Sequence, residues 1–559
     1  MEILKNGVNE QESQKILKSD ITKIVTGEDA FSLFSDAEFQ KQWDLLYTGC
    51  SWATAFQSRI FVVSWFRIFR KEYYPIVVIS ESDEGELTGI LPLATRQESL
   101  NKGKRLKIFG AGEFEAEYQV WISREDNRDL FIRSAFQQLM EEFPGCNILF
   151  RFIPDGSVLD WIENDPLWKK RLVVQPFRRP LMEINSPEIH GLLKLQRQFK
   201  TKYNRLNRLG KVRFERVWEV EEFKVILEEL MLQFDFRQGA MFNKNQFRDN
   251  PKKGELLFDL FKQGLLHVTI LKVDDEIIAS MAAIYDKKWV HLQGLNSHSP
   301  FYSRFSPGIL HFYLLGQKLV EEQADVFDLT PGGDLYKERW ATTHDTVYAL
   351  TLTSDPKYFV KRQLKRITYD WLIKAGYRPM TVELQIKKKL YLFKRKGIRG
   401  LLKTTSNNDR LQVYKTGLSQ NEVSPLPVKK NKVRDLLDYE GSKAQLTRWE
   451  FTERAMADFG EGKNVYSYSV GDQLLACIWE GNRPEANIAA PGFVFPDNAV
   501  FLSNLYCHAD FSLQAERFMH SVIAKVTQGN AQCAVFVQVA GADKVGVETL
   551  EKLGAEKIV

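Results

Sequence analysis

Three times along the chain, two apolar runs flank a short polar turn: 76–80 and 87–93 around Asp83-Glu84-Gly85, 267–273 and 277–285 around Asp274-Asp275-Glu276, and 465–470 and 474–479 around Gly471-Asp472. Each pair predicts a β-hairpin. A further apolar strand follows each time (107–110, 289–294, 500–506), then an amphipathic helix (129–142, 309–322, 513–526) and another strand (147–152, 325–329, 534–539). The order hairpin, strand, helix, strand, helix recurs at a period of ~190 residues, far beyond that of a solenoid, so whole domains are duplicated. An antiparallel meander joined to a βαβ crossover predicts an α/β (mixed α+β) architecture: in each unit a mixed, mostly antiparallel sheet with helices on both faces.

The same pattern sets the expected boundaries. Residues 1–29 are polar and read as an N-terminal arm, 30–186 as a first unit, 187–385 as a second, 386–432 as a basic then polar linker, and 433–559 as a third unit. Within the first unit, 60–68 has helical periodicity. Two basic stretches stand out. Residues 194–213, KLQRQFKTKYNRLNRLGKVR, read as a helix with cations almost all round, and 387–403, KKKLYLFKRKGIRGLLK, mixes cations with Leu390, Tyr391, Leu392 and Phe393. Both suit an anionic surface, whether nucleotide phosphate, RNA backbone or the inner leaflet of a membrane; a solvated helix and a basic linker explain them as well.

Composition narrows the field. The 559 residues, 44% hydrophobic and 27% charged, are those of a soluble globular protein of several domains. The balance of 77 Lys and Arg against 72 Asp and Glu is too mild to predict nucleic acid as a specific partner of the whole chain. No apolar run approaches the roughly 18–20 residues that span a bilayer, and the N-terminus lacks a signal-peptide core. The expectation is a cytoplasmic protein, with peripheral contact at the inner membrane face through 194–213 and 387–403. Cys50, Cys146, Cys477, Cys507 and Cys533 are odd in number and show no CxxC spacing, so neither a disulfide framework nor a metal site is expected. The oligomeric state is not readable.

Candidate chemistry concentrates in 301–340. Ser306, Pro307 and Gly308 read as a helix start, with Ser as cap and Pro at the first helical position; the N–H groups and helix dipole there suit an anion, phosphate above all. The run 325–329 reads as a buried strand ending in the turn Pro331-Gly332-Gly333-Asp334, directly before Tyr336, Lys337, Glu338 and Arg339. Ligands of open α/β sheets bind at such strand ends. An ordinary helix–strand–turn unit with solvated charges has the same spacing.

The order of elements is similar to that of the GNAT superfamily of acyl-CoA-dependent N-acyltransferases. LYTGCSWATAFQSRIFVVSWF and LTGILPL in the first unit, and YSRFSPGIL and FDLTPGGDLYKERWA in the second, resemble the tandem cellulose-biosynthesis CelD-like acetyltransferases and, more distantly, the Fem-type transferases. LSNLYCHADF and ETLEKLGAEKIV in the third look like the fourth strand and closing helix of single-domain GNAT enzymes. The resemblance implies tandem GNAT-like domains with a third, degenerate GNAT-like unit. It also implies transfer of an acyl group, acetyl foremost, from acyl-CoA to an amine or hydroxyl of a cell-envelope or exopolysaccharide precursor. Where single-domain members carry Q/R-x-x-G-x-G/A, the second unit has Arg304-Phe305-Ser306-Pro307-Gly308, which keeps the Arg, the Gly and the helix start at altered spacing. The third unit has no Gly there, and in the first Glu113, Glu115 and Glu117 would repel a pyrophosphate. Acyl-CoA is therefore expected at the second unit, on Arg304, Ser306, Pro307, Gly308, Ile309 and Lys337. By the same resemblance Tyr336 is the candidate acid, unless its ring merely packs on Trp340. Asp334 or Asp328 is a candidate to position an amine, and His291, on the fourth strand, is a candidate base or a structural residue. Two other functions fit the same resemblance: a Fem-type transferase using aminoacyl-tRNA, favoured by the basic stretch 194–213, and a non-catalytic scaffold of decayed GNAT-like units.

Overall fold

The computed structural model describes residues 20–100, 105–157, 159, 161–162, 165–194, 197–403, 411–416, 424–441, 445–484, 493–529, 533–541 and 543–558. The first unit runs β1 (Ile21–Thr26), α1 (Arg59–Ile68), the hairpin β2 (Tyr73–Glu81) and β3 (Leu87–Arg96), β4 (Lys107–Gly110), the short β5 (Ile122–Ser123) beside β3, α2 (Arg128–Glu142), β6 (Asn147–Pro154) and β7 (Leu172–Glu183). The second runs α3 (Arg197–Asn207), β8 (Val212–Val217), α4 (Val220–Phe242), β9 (Leu266–Val273), β10 (Glu276–Asp286), β11 (Trp289–His298), α5 (Pro307–Glu321), β12 (Val326–Asp328), α6 (Leu335–Glu338) and β13 (Thr343–Thr353). β2 and β3 are buried almost throughout because helices cover both faces, which is why they read as continuous apolar runs. On α1, Phe61, Val62, Trp65 and Phe66 are fully buried, each such side chain contributing about 1.5–3 kcal/mol of hydrophobic stabilisation.

The two units share one sheet, in the order β1-β2-β3-β4-β6-β13-β7-β12-β11-β10-β9-β8. Each unit contributes a parallel pair, β4 with β6 and β11 with β12. Between these pairs the units exchange strands. β13 of the second unit lies antiparallel to β6 of the first, β7 of the first lies antiparallel to β12 of the second, and β7 and β13 pair with each other over ten residues, from Thr343↔Leu181 to Leu352↔Leu172.

A helical hairpin, α7 (Pro356–Lys374) and α8 (Pro379–Lys403, kinked at Gly397), leads to the third unit. Its elements are β14 (Leu411–Thr416), β15 (Lys429–Lys430), α9 (Arg448–Gly460), β16 (Asn464–Val470), β17 (Gln473–Gly481), β18 (Ala499–Cys507), α10 (Ala515–Gly529), β19 (Ala534–Ala540) and β20 (Glu556–Lys557). They form a second sheet, β15-β16-β17-β18-β19-β14-β20, with β18 and β19 parallel. The third unit docks on the second through α9: Phe459 meets Phe236 of α4 and Phe301, and the Trp449 indole donates to the Ala240 carbonyl at 3.1 Å. Arg248 and Asp438 add an ion pair of 2.5 Å.

Three expectations need correction. The arm ends in a strand, since β1 pairs with β2 from Ile21↔Glu81 to Thr26↔Ile76; residues 1–19 lie outside the described residues. The stretch 194–213 is not one helix: α3 ends at Asn207, Gly210 sits against Asp274, and β8 begins at Val212. The supposed linker 386–432 is mostly structure. Its first part continues α8, and β14 inserts between β19 and β20, while 404–410 and 417–423 lie outside the described residues.

Candidate active site at the split between two strands

β11 and β12 run side by side for only three pairs, Trp289↔Val326, Val290↔Phe327 and His291↔Asp328, and then part. β11 continues along β10, whereas the chain after Asp328 turns away through Thr330, Gly332 and Gly333, all at positive φ, into α6. At the parting the register of β10 and β11 shifts: Ile284 faces His291 and Ala283 faces Gly294, so Leu292 and Gln293 form a bulge. Only glycine fits at 294, where φ is 128° and a Cβ would lie 2.3 Å from the Ala282 carbonyl oxygen. Beyond the bulge one edge of β11 has no neighbouring strand among the described residues. The Asn296 carbonyl on that edge accepts from Arg237 Nη1 at 3.1 Å, and alternation puts the Gly294 peptide on the same edge.

The split opens into a cavity of about 880 Å³. Gly294 and Asn296 line one wall, α4 a second, Asp334, Tyr336 and Lys337 a third, and the start of α8 a fourth, with Phe114 and Arg151 reaching in from the first unit. Six cations, Arg151, Arg237, Lys244, Lys253, Lys337 and Arg378, stand here against two acids, Asp249 and Asp334. Such a cavity attracts a polyanion.

Burial, then the nearby Asp334, pushes the Tyr336 phenol up to about 12, with Arg237 and Arg378 opposing. Its ring packs edge-on against Phe312 at 5.6 Å, on the edge of the apolar cluster in which Trp340 stacks on Phe199. Asp334 is paired with Arg378 Nη1 at 2.7 Å. Lys337 is only 6% exposed; it donates to the Thr330 carbonyl at 3.1 Å and hydroxyl at 2.8 Å, and burial lowers its pKa against the pull of Asp334, Glu117 and Asp328.

Behind that wall lies a buried ionic network. Asp328 accepts from the Thr330 amide at 2.8 Å, bonds His291 Nδ1 at 2.8 Å and lies 3.6 Å from Arg179. Burial works to raise its pKa, but Arg179 and His291 hold it below the ordinary carboxylate value. Arg179 also donates to Asp345 at 2.7 Å and lies over the rings of Tyr118 and Trp289. His291 faces this network and the rings of Phe56 and Tyr118, not the cavity. Nearby, Glu117 pairs with Arg151 at 2.8 Å; burial raises its pKa against Arg151 and Lys337.

Of the expected residues, the fold therefore gathers Asp334, Tyr336 and Lys337 at the cavity, with His291 one layer behind. Arg304, Ser306, Pro307, Gly308 and Ile309 do not line it. Ser306 is left-handed (φ 54°) with no side-chain cap bond, Gly308 faces the His298 ring, and Arg304 reaches the third unit at Gly462. The acids expected to repel a phosphate in the first unit are each paired: Glu113 with Arg96, Glu115 with Lys253 and Glu117 with Arg151. Sequence reasoning missed Arg237, Arg151 and Arg378. For Arg237 a signal existed, a cation among the apolar positions Phe234 and Phe236 of α4.

Among the described residues no group of three His, Cys, Asp or Glu side chains could hold a metal ion, and no helix is long and apolar enough to cross a membrane. Residues 194–338 match the model of a family described as an acetyltransferase (GNAT) domain, a span that holds β8 to β12, the bulge and Tyr336. No curated protein matches the chain. Similar solved structures include a conserved protein of unknown function from Bacteroides thetaiotaomicron (10% identity, 56% of this chain and 97% of that one, TM-score 0.38). L-PGS from Bacillus licheniformis (12%, 59% and 96%, 0.37) and a tandem GNAT protein from the clavulanic acid biosynthesis pathway (10%, 60% and 99%, 0.36) are others. Likenesses at this level say nothing of substrate.

Proposed function

We propose that the chain is an acyltransferase that moves an acyl group, acetyl foremost, from acyl-CoA to an amine or hydroxyl acceptor in the cavity at the β11–β12 split. The observation that supports this most is the free edge of β11 beyond the Gly294 bulge, facing Tyr336 across a cationic cavity inside the segment that matches a GNAT domain. Attack on the thioester carbonyl forms the new C–N or C–O bond, the C–S bond then breaks, and the proton shed by the attacking N–H or O–H returns through solvent to the phenolate left when Tyr336 protonates the thiolate. The peptide N–H groups of Gly294 and Asn296 on that edge bind the developing oxyanion. Tyr336, protonated throughout the neutral range, is the proton donor to the departing sulfur, and Asp334 is the group that holds an amine. Arg237 and Lys337 supply positive charge for the donor's phosphates or an acceptor's carboxylate. The CelD-like resemblance favours an acceptor from a cell-envelope or exopolysaccharide precursor.

Tyr336→Phe is expected to lower kcat for acyl-CoA-dependent transfer about a hundredfold while leaving KM for the donor within about twofold. Calorimetric titration of acetyl-CoA separates two donor sites. Arg237→Gln weakens binding if the cavity holds the phosphates, and Ser306→Glu weakens it if the start of α5, with Arg304, Gly308 and Ile309, does so. Binding indifferent to both changes, or turnover untouched by Tyr336→Phe, would sink the reading.

A further inference from the structure

The hairpin of α7 and α8 is unevenly finished on its two sides. α7 buries none of its residues. One side rests on the sheet: the Tyr369 ring meets Phe177 of β7 at 6.4 Å, and Arg366 donates to the Val174 carbonyl at 3.4 Å. On the opposite side Val360, Leu364, Ile367 and Trp371 recur at spacings of four, three and four, which aligns them in one stripe pointing away from the body. On α8, Ile386, Leu390 and Phe393 form a second exposed apolar row at spacings of four and three, and Ile373, Tyr377 and Met380 flank the turn between the helices. All ten are between 47% and 64% exposed. Large side chains left so open over a contiguous stretch mark a surface with a partner.

Charge identifies the partner. From 356 to 397 there are thirteen Lys and Arg and two acids, Asp370 and Glu383, a balance of +11 in a chain whose total is +5, so everything else is net −6. Glu383 is already engaged by Lys387 at 2.8 Å and Lys365 at 3.6 Å; Arg378, Lys388 and Lys396 are in turn engaged by Asp334, Glu453 and Glu450 outside the hairpin, which leaves an excess of +8. Two copies meeting through this hairpin would bring two such concentrations of like charge together. An RNA would answer the cations but not the apolar stripe. A bilayer rich in anionic lipid answers both: cations at the phosphates, apolar side chains below them, and Trp371 and Tyr377 at headgroup depth.

We propose that the α7–α8 hairpin docks the protein on an anionic lipid bilayer. The hairpin also connects with the cavity, because Arg378, Met380, Thr381 and Leu384 form one of its walls and Met380 is half exposed at the tip. Docking sets that wall against the lipid surface; an acceptor drawn from the membrane follows, a consequence that rests on the acyl-transfer reading.

The test is cosedimentation of the full chain with vesicles of phosphatidylcholine alone or mixed with phosphatidylglycerol, which needs no turnover and so stands apart from the transfer chemistry. Expected are binding to the mixed vesicles only, weakened by salt, and a loss of about tenfold or more in both Leu364→Gln/Trp371→Gln and Lys357→Glu/Lys361→Glu. These positions are exposed, so melting temperatures should match the wild type. The proposal is overturned if phosphatidylglycerol makes no difference, if both variants bind as wild type does, or if sedimentation equilibrium finds a dimer that only the Leu364/Trp371 variant loses. Retention of an RNA probe by a chain that ignores vesicles would also overturn it.

Discussion

Gly294 is the residue on which the geometry of the split turns. Gly294→Ala forces a methyl group into the Ala282 carbonyl at a backbone angle that side chains avoid. The expected cost is about 2 kcal/mol in urea unfolding, with a larger fall in activity because the free edge of β11 moves. Asp328→Asn acts one layer deeper: Arg179 keeps only Asp345, and a buried cation loses a compensating charge. About 3 kcal/mol of stability should be lost in the same assay. Tyr336, Lys337 and Asp334 were legible in the sequence because they directly follow a strand and a Gly-Gly turn, a local signal. Arg151 was not, since only the long-range closure of two units brings it to the cavity, and Arg237 showed only as a cation among the apolar positions of α4. His291 was legible as a strand residue, but its direction was not, because the bulge after it breaks the alternation from which direction is read.

At the scale of elements, α5 and the end of β11 carry two histidines that do not titrate normally. Burial, aided by Arg237, depresses His298 to about 4, and burial, aided by His267, depresses His311 to about 3. An unfolded chain protonates both rings near pH 6.5, whereas the folded chain resists until about 4 and about 3. The unfolded state thus binds more protons in this window, and stability falls as pH drops from about 6.5 toward 4, by at most about 3 kcal/mol per pH unit from the pair. Urea midpoints measured against pH should show this slope, and His298→Gln/His311→Gln should flatten it. The elements themselves were largely readable: the helix expected at 309–322 is Pro307–Glu321, and all three hairpins stand where the paired apolar runs around a polar turn put them. β1 and β14 were not, because short, half-polar strands are defined by partners far along the chain, β2 and β19, rather than by their own pattern.

Over the whole molecule, the recurrence of one motif was visible in the sequence, but the exchange of β7 and β13 was not, since periodicity says which segments are strands and not which strands pair. That exchange predicts joint unfolding. A fragment of residues 20–186 loses β13 from the side of β6, and its β7 has no sheet to join; it should fail to give a cooperative melt, whereas in the full chain calorimetry should find one transition for the first two units together. The exchange also sets a timetable for biosynthesis. While the nascent chain is still short of Thr353, β6 offers an uncovered row of amides and carbonyls, an invitation to mispairing that lasts for the whole translation of the second unit. A ribosome-associated chaperone, or a pause placed after residue 353 rather than at the apparent boundary near 186, is what such a seam calls for.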